Sequence, residues 1–228
     1  MFEHVDGYCE RLAPGFWDEP LNAVTNLSFI IAALILWRLA KREGTALRPS
    51  FLIPTALLFL TGVGSFLFHT FANGWSAIAD TAALGLCLMS IAFFIGHRFL
   101  NEHWAVALLW PIWMIVAAFG FGYFVELPGA FYLGPAAVGL TLAFRLRKTP
   151  YIRHRPSHPS WRWLAAAVIV FLPSFVFRGI DEPICSFFPY GTHFLWHILN
   201  GVVLGLAIRP LAWGDEGGHR DGAGRAAG

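Results

Sequence analysis

Seven apolar stretches, separated by short polar breaks, set the pattern of the chain. They run over about 22–40, 51–71, 76–97, 104–123, 127–145, 161–178 and 192–211. Each approaches the ~20 apolar residues that a helix needs to cross the ~30 Å hydrocarbon layer of a bilayer. Within them the apolar residues are continuous rather than alternating, which argues against an outer-membrane barrel. The predicted fold class is therefore all-α, a polytopic membrane protein built as a seven-transmembrane-helix bundle. One domain is expected over 1–212, with 1–21 as an outer N-terminal segment. The Gly-rich polar residues 213–228 read as a cytoplasmic tail too polar to pack. The sixth stretch is the weakest. Its apolar centre, Leu164 to Phe177, is short and carries Pro173, while Trp161 and Trp163 at its start suit a membrane interface. No cleavable signal is visible, because the first ten residues are acidic and lack an apolar run.

Composition agrees. The chain is 57% hydrophobic and 13% charged, with a mean hydropathy of +0.58, whereas a soluble domain carries about 25% charged residues. The placement of charge says more than its sum. Fourteen of the sixteen Lys and Arg residues fall on one side of the predicted spans, in the breaks after spans one, three, five and seven. Only Arg11 and Arg178 fall on the other. The positive-inside rule then puts the N-terminus in the extracytoplasmic space and the C-terminus in the cytoplasm. Three cysteines, Cys9, Cys87 and Cys185, exclude a disulfide framework and leave room for a single bridge.

Depth sorts the nine histidines. His97, His103, His154, His158 and His219 sit at or beyond the cytoplasmic ends of spans, and His4 lies in the outer segment. All six read as solvated loop residues. His69 lies near the outer end of span two, and His193 and His197 at the outer end of span seven. The last two are four residues apart, so on a helix they share a face with Cβ atoms about 6 Å apart. Three histidines at one depth inside apolar runs are a functional-site signal. Three neutral imidazoles and a water make an open catalytic zinc site, in which the bound water's pKa falls to about 7. Two further polar residues reach this depth. Ser65 is one turn before His69, and Asp80 lies in the first turns of span three, where a carboxylate needs a cation or hydrogen bonds. The expected roles are zinc binding by His69, His193 and His197, proton transfer by Asp80 and oxyanion stabilisation by Ser65.

These residues resemble a known family. Gly62-Val63-Gly64-Ser65-Phe66-Leu67-Phe68-His69, then Asp80, then His193-Phe194-Leu195-Trp196-His197-Ile198-Leu199 are similar to the motifs of the alkaline ceramidases. That family belongs to a wider group of seven-helix membrane hydrolases that includes the adiponectin receptors. Tyr8-Cys9-Glu10 and Glu19-Pro20-Leu21-Asn22-Ala23-Val24-Thr25-Asn26 extend the resemblance to the N-terminus. It implies a zinc-dependent amidase that cleaves ceramide to a sphingoid base and a fatty acid. It also implies a calcium ion bound by the side chains of Asp6, Glu10 and Glu19 and the main-chain carbonyls of Tyr8 and Leu12. Here the sequence departs from the family, since Gly7 separates Asp6 from Tyr8 and Leu12 stands in place of an Asn. The resemblance further implies a disulfide between Cys9 and Cys185, with Cys87 left as a reduced core residue.

The expected partners are the bilayer and a ceramide-like lipid entering sideways. No nucleic acid and no obligatory protein partner are expected. Three alternatives stand beside the amidase. They are hydrolysis of another lipid bond in the same superfamily, a seven-helix receptor or channel with structural zinc, and a proton-coupled transporter using Asp80. The transporter lacks a second intramembrane carboxylate to relay the proton. Glu126 and the Asp181-Glu182 pair read as solvated loop residues, with a surface pair between Asp181 and Arg178 as the alternative.

Overall fold

The computed structural model describes residues 3–5, 7–149 and 159–213. Asp6, most of the basic loop after the fifth apolar run and the tail from 214 onward lie outside the described residues. Among the described residues there is no strand, only an isolated antiparallel bridge between His4 and Asn73. Seven long helices form an all-α bundle. They are α1 (Pro20–Arg42), α2 (Pro49–Phe71), α3 (Gly74–Phe99), α4 (Trp104–Phe124), α5 (Leu133–Lys148), α6 (Trp161–Gly179) and α7 (His193–Ile208). Six of the apolar helical stretches are long and apolar enough to cross a membrane. The chain is a multi-pass integral membrane protein.

The exception among the seven is α5. Its sixteen residues rise only about 24 Å at 1.5 Å each, less than the hydrocarbon thickness. The apolar run expected over 127–145 does not become helix throughout. Gly129 takes φ 76°, and a single tighter turn over Ala130–Tyr132 precedes α5. A glycine suits that left-handed position because it has no Cβ to clash.

Local signals account for the helix ends that matter here. α1 and α2 start on Pro20 and Pro49, where a missing N–H is harmless. α1 is interrupted at Asn26, whose Nδ2 donates back to the Asn22 carbonyl at 2.9 Å. α2 ends on Ala72 in the left-handed region (φ 42°). Asn73 then opens α3 through a reciprocal cap with Ser76. This short reversal holds α2 and α3 close. At Gly64 a Cβ would come within 2.7 Å of the Ala79 carbonyl oxygen, so the two backbones approach to a distance that only glycine permits. Ser65 and Asp80, the next residue on each helix, are brought together by that approach.

The core is apolar and runs the length of the bundle, with Phe51, Leu58, Ile95, Leu146, Ile208 and Leu211 fully enclosed. The outward faces are apolar too. On α4, Phe119, Tyr123 and Phe124 are about four-fifths exposed, as expected for a surface solvated by lipid.

Candidate metal centre

One end of the bundle gathers the polar residues. His69 sits in the last turn of α2, Asp80 in the second turn of α3, and His193 and His197 in the first two turns of α7. The three imidazoles are all but sealed, at 1%, 2% and 2% exposure. Each offers a ligand atom, and the three atoms lie within 4.8 Å of one another. Ring centroids are 4.5 Å apart for His193 and His197, 4.6 Å for His69 and His197, and 5.3 Å for His69 and His193. His69 Nε2 and His193 Nδ1 are buried with no hydrogen-bond partner. A buried nitrogen without a partner is costly, and a metal ion between the rings would satisfy both. The residues therefore fit a metal, and three imidazole donors suit zinc.

The opposite ring nitrogens are held from behind. His69 Nδ1 meets Glu19 Oε2 at 2.5 Å, and His197 Nδ1 meets Thr25 Oγ1 at 3.1 Å. Thr25 donates its own hydrogen to the Leu21 carbonyl at 2.7 Å, so its oxygen is free to accept from His197. Such outer partners fix the ring and the tautomer that points at a metal. Both come from the start of α1. His193 is held differently. Tyr8 stacks on it at 3.8 Å, with planes 24° apart.

Ser65 is buried, and the half-buried Asp80 lies across from it where the backbones of α2 and α3 meet at Gly64. The three histidines picked out from the sequence thus converge, with Ser65 one turn before His69 on the same helix.

The N-terminal segment closes over this end. Cys9 and Cys185 form a disulfide, with Cα atoms 5.2 Å apart. Cys87 stays free and buried. Glu10 accepts from the backbone N–H groups of Leu21 (2.7 Å) and Asn22 (2.8 Å), capping the first turn of α1. Burial pushes its carboxyl above the usual carboxylate range, against the pull of those two bonds. Burial acts the same way on Glu19, but hydrogen bonds from His69, Asn22 and Arg11 outweigh it and hold this carboxyl below its ordinary value. Burial also raises the Tyr8 phenol.

The residues implied for calcium do not fit that ion as they stand. Both Glu10 oxygens accept from the start of α1. Both Glu19 oxygens are taken by Arg11, Asn22 and His69. The Tyr8 carbonyl accepts from the Arg11 N–H at 3.3 Å. Asp6 lies outside the described residues.

Several residues around the site were not expected. Asp181, read as solvated or as a surface partner of Arg178, is 2% exposed. Its carboxylate accepts from the N–H groups of Thr192 (2.6 Å), His193 (2.8 Å) and Cys9 (3.1 Å), so it caps α7 and ties the N-terminal segment to it. Arg178 instead lies over the rings of Tyr132, Trp196 and Tyr8 at 5.6, 5.7 and 5.9 Å. The one available signal was the charge count. Arg11 and Arg178, the two basic residues that the charge count set apart from the other fourteen, both lie near the centre.

A buried histidine triad that could hold a metal ion thus lies at one end of an all-helical membrane bundle. The family model described as Ceramidase matches residues 10–217, nearly the whole chain, and the chain belongs to that family. Comparison with curated proteins gave no match.

Proposed function

We propose that the chain is a zinc-dependent intramembrane amidase that hydrolyses ceramide-like lipids to a sphingoid base and a fatty acid. The observation that carries this reading is the convergence of three sealed imidazoles, two with unpartnered nitrogens, beside a serine and a carboxylate. Family membership supplies the amide substrate.

Zinc held by His69, His193 and His197 would supply Lewis acidity and an acidified water. Asp80 orients the attacking water and takes its proton as the oxygen adds to the amide carbon. Ser65 donates to the former carbonyl oxygen as negative charge builds there. Asp80 then passes the proton to the amide nitrogen, the C–N bond breaks, and the sphingoid amine and the fatty acid leave. An apolar cleft lined by Leu84, Leu88, Tyr132, Phe171, Trp196 and Leu204 adjoins this site. It shares Trp196, between the two α7 histidines, and begins one turn beyond Asp80. Its lining is predominantly apolar, the chemistry that an acyl or sphingoid tail would need.

The same reading places the N-terminus and the metal centre on the extracytoplasmic side and the C-terminus in the cytoplasm. The split of basic residues supports this, as does a disulfide at that end, which needs an oxidising space. The test is to incubate purified protein with ceramides of several acyl lengths, with and without a chelator, and to measure released fatty acid. Chelator-sensitive release is expected. No release from protein shown to hold zinc removes the proposal.

A further inference from the structure

Arg11 lies outside the spans, where a long basic side chain is normally solvated. Here it is 4% exposed. Oxygen atoms enclose its guanidinium. Nε donates to Glu19 Oε1 at 2.5 Å. Nη1 donates to the carbonyls of Gly15 at 3.0 Å and Ala13 at 3.4 Å. Nη2 donates to the His69 carbonyl at 3.0 Å. One carboxylate and three carbonyls around one buried positive charge resemble the donor set that a hard divalent cation takes. In this chain a side chain supplies the charge.

We propose that Arg11 is the resident cation of the outer segment, standing in for calcium, and that it is a positioning residue for the metal centre. It grips His69 twice. Through Glu19 it fixes the carboxylate that holds the ring at Nδ1, and through Nη2 it fixes the His69 backbone at the end of α2. An ion would have to displace the guanidinium to reach Glu19, and it would bring two buried cations together. The planar fork suits this task, because its donors leave in fixed directions toward four separate acceptors. The outer segment is thus organised without an exchangeable metal. The inference rests on the metal-centre reading only in making His69 a ligand, and none of its readouts uses a lipid substrate.

The test uses the full purified chain and two probes, calcium chloride and zinc chloride. Wild type is expected to retain far less than an equivalent of calcium and to melt at the same temperature in calcium and in a calcium-selective chelator. Arg11→Ala is expected to bind zinc about 10–100-fold more weakly, the usual effect of losing an outer partner of a ligating histidine. Calcium or guanidinium ion, entering the vacated oxygen cage, is expected to restore part of that loss, an outcome that a merely structural arginine would not produce. If Arg11→Ala does not fold, Arg11→Lys takes its place, keeping the charge but not the fork. A full equivalent of calcium on wild type, a lower melting temperature in the chelator, unchanged zinc affinity in a folded variant, or no gain from either cation overturns the proposal.

Discussion

The Glu19 carboxylate and the His69 imidazole meet at 2.5 Å, Oε2 to Nδ1, and both side chains are buried. Because Glu19 takes Nδ1, Nε2 is the nitrogen left to face a metal, and it is the atom found without a partner. Glu19→Gln keeps the shape but removes the charge that Arg11 faces, and one end of the amide becomes a donor against donors. Zinc affinity is expected to fall by about 10–100-fold. The melting temperature should fall with it, since an uncompensated buried cation costs about 3–5 kcal/mol. Zinc content after dialysis against graded chelator, read beside a melting curve, checks both.

Metal removal should act on stability as well as turnover. A ligand that binds only the folded state stabilises it in proportion to the logarithm of its concentration over Kd, and the three histidines lie on α2 and α7, far apart in sequence. Stripping zinc should lower the melting temperature and abolish hydrolysis, and zinc alone should restore both. His69→Ala, His193→Ala and His197→Ala should each copurify with little zinc and show no melting shift when it is added. An equal zinc-induced shift in all three variants and wild type would place the ion elsewhere.

What could be read from the chain, and what could not, divides along burial. His69, His193, His197, Ser65 and Asp80 stood out because an ionisable or polar side chain within an apolar run has few places to go. Arg11, Glu19 and Asp181 lie in short polar stretches, where charge is normally solvated, and nothing local distinguishes a buried pair from a wet one. Their burial is set by tertiary partners: Arg11 and His69 for Glu19, and the N–H groups at the start of α7 for Asp181. The resemblance did point to Glu19, as a calcium ligand. The bundle itself was legible from hydropathy, except for α5, whose apolar run is broken by Gly129 and a tight turn that hydropathy does not register.

Ser65 and Asp80 should separate chemistry from folding. Neither is proposed as a metal ligand, and both lie where α2 and α3 pack backbone to backbone at Gly64. Ser65→Ala should keep the melting temperature and zinc content within error and lower kcat by about 10²–10³-fold, the usual cost of one oxyanion donor. Asp80→Asn should lower kcat by about 10²–10⁴-fold through loss of proton transfer. A receptor or channel with structural zinc would have no turnover to lose, so full activity in either variant, or none in wild type, counts against the assignment.

Asp181 gives the sharpest contrast between the solvated and the buried reading of one residue. A solvated aspartate in a loop can be replaced at a cost within about 0.5 kcal/mol. The carboxylate observed here accepts three backbone N–H groups, two at the start of α7 and one at Cys9. Leaving buried donors unpaired costs about 1–3 kcal/mol each, and losing an N-terminal cap costs about 1 kcal/mol. Water entering the gap offsets part of this, so Asp181→Ala is expected to destabilise by about 2–3 kcal/mol. Asp181→Asn should rescue part of the loss, because Thr192 and His193 both donate to Oδ1, which an amide oxygen can replace, and only the Cys9 N–H would meet the amide's donor. Glu182→Ala, one residue on and exposed, is the control and should melt like wild type. The loss should also loosen His193, whose N–H is one of the three, so weaker zinc binding should accompany the lower melting temperature. Equal melting temperatures for Asp181→Ala and Glu182→Ala would return Asp181 to solvent and leave the start of α7 uncapped.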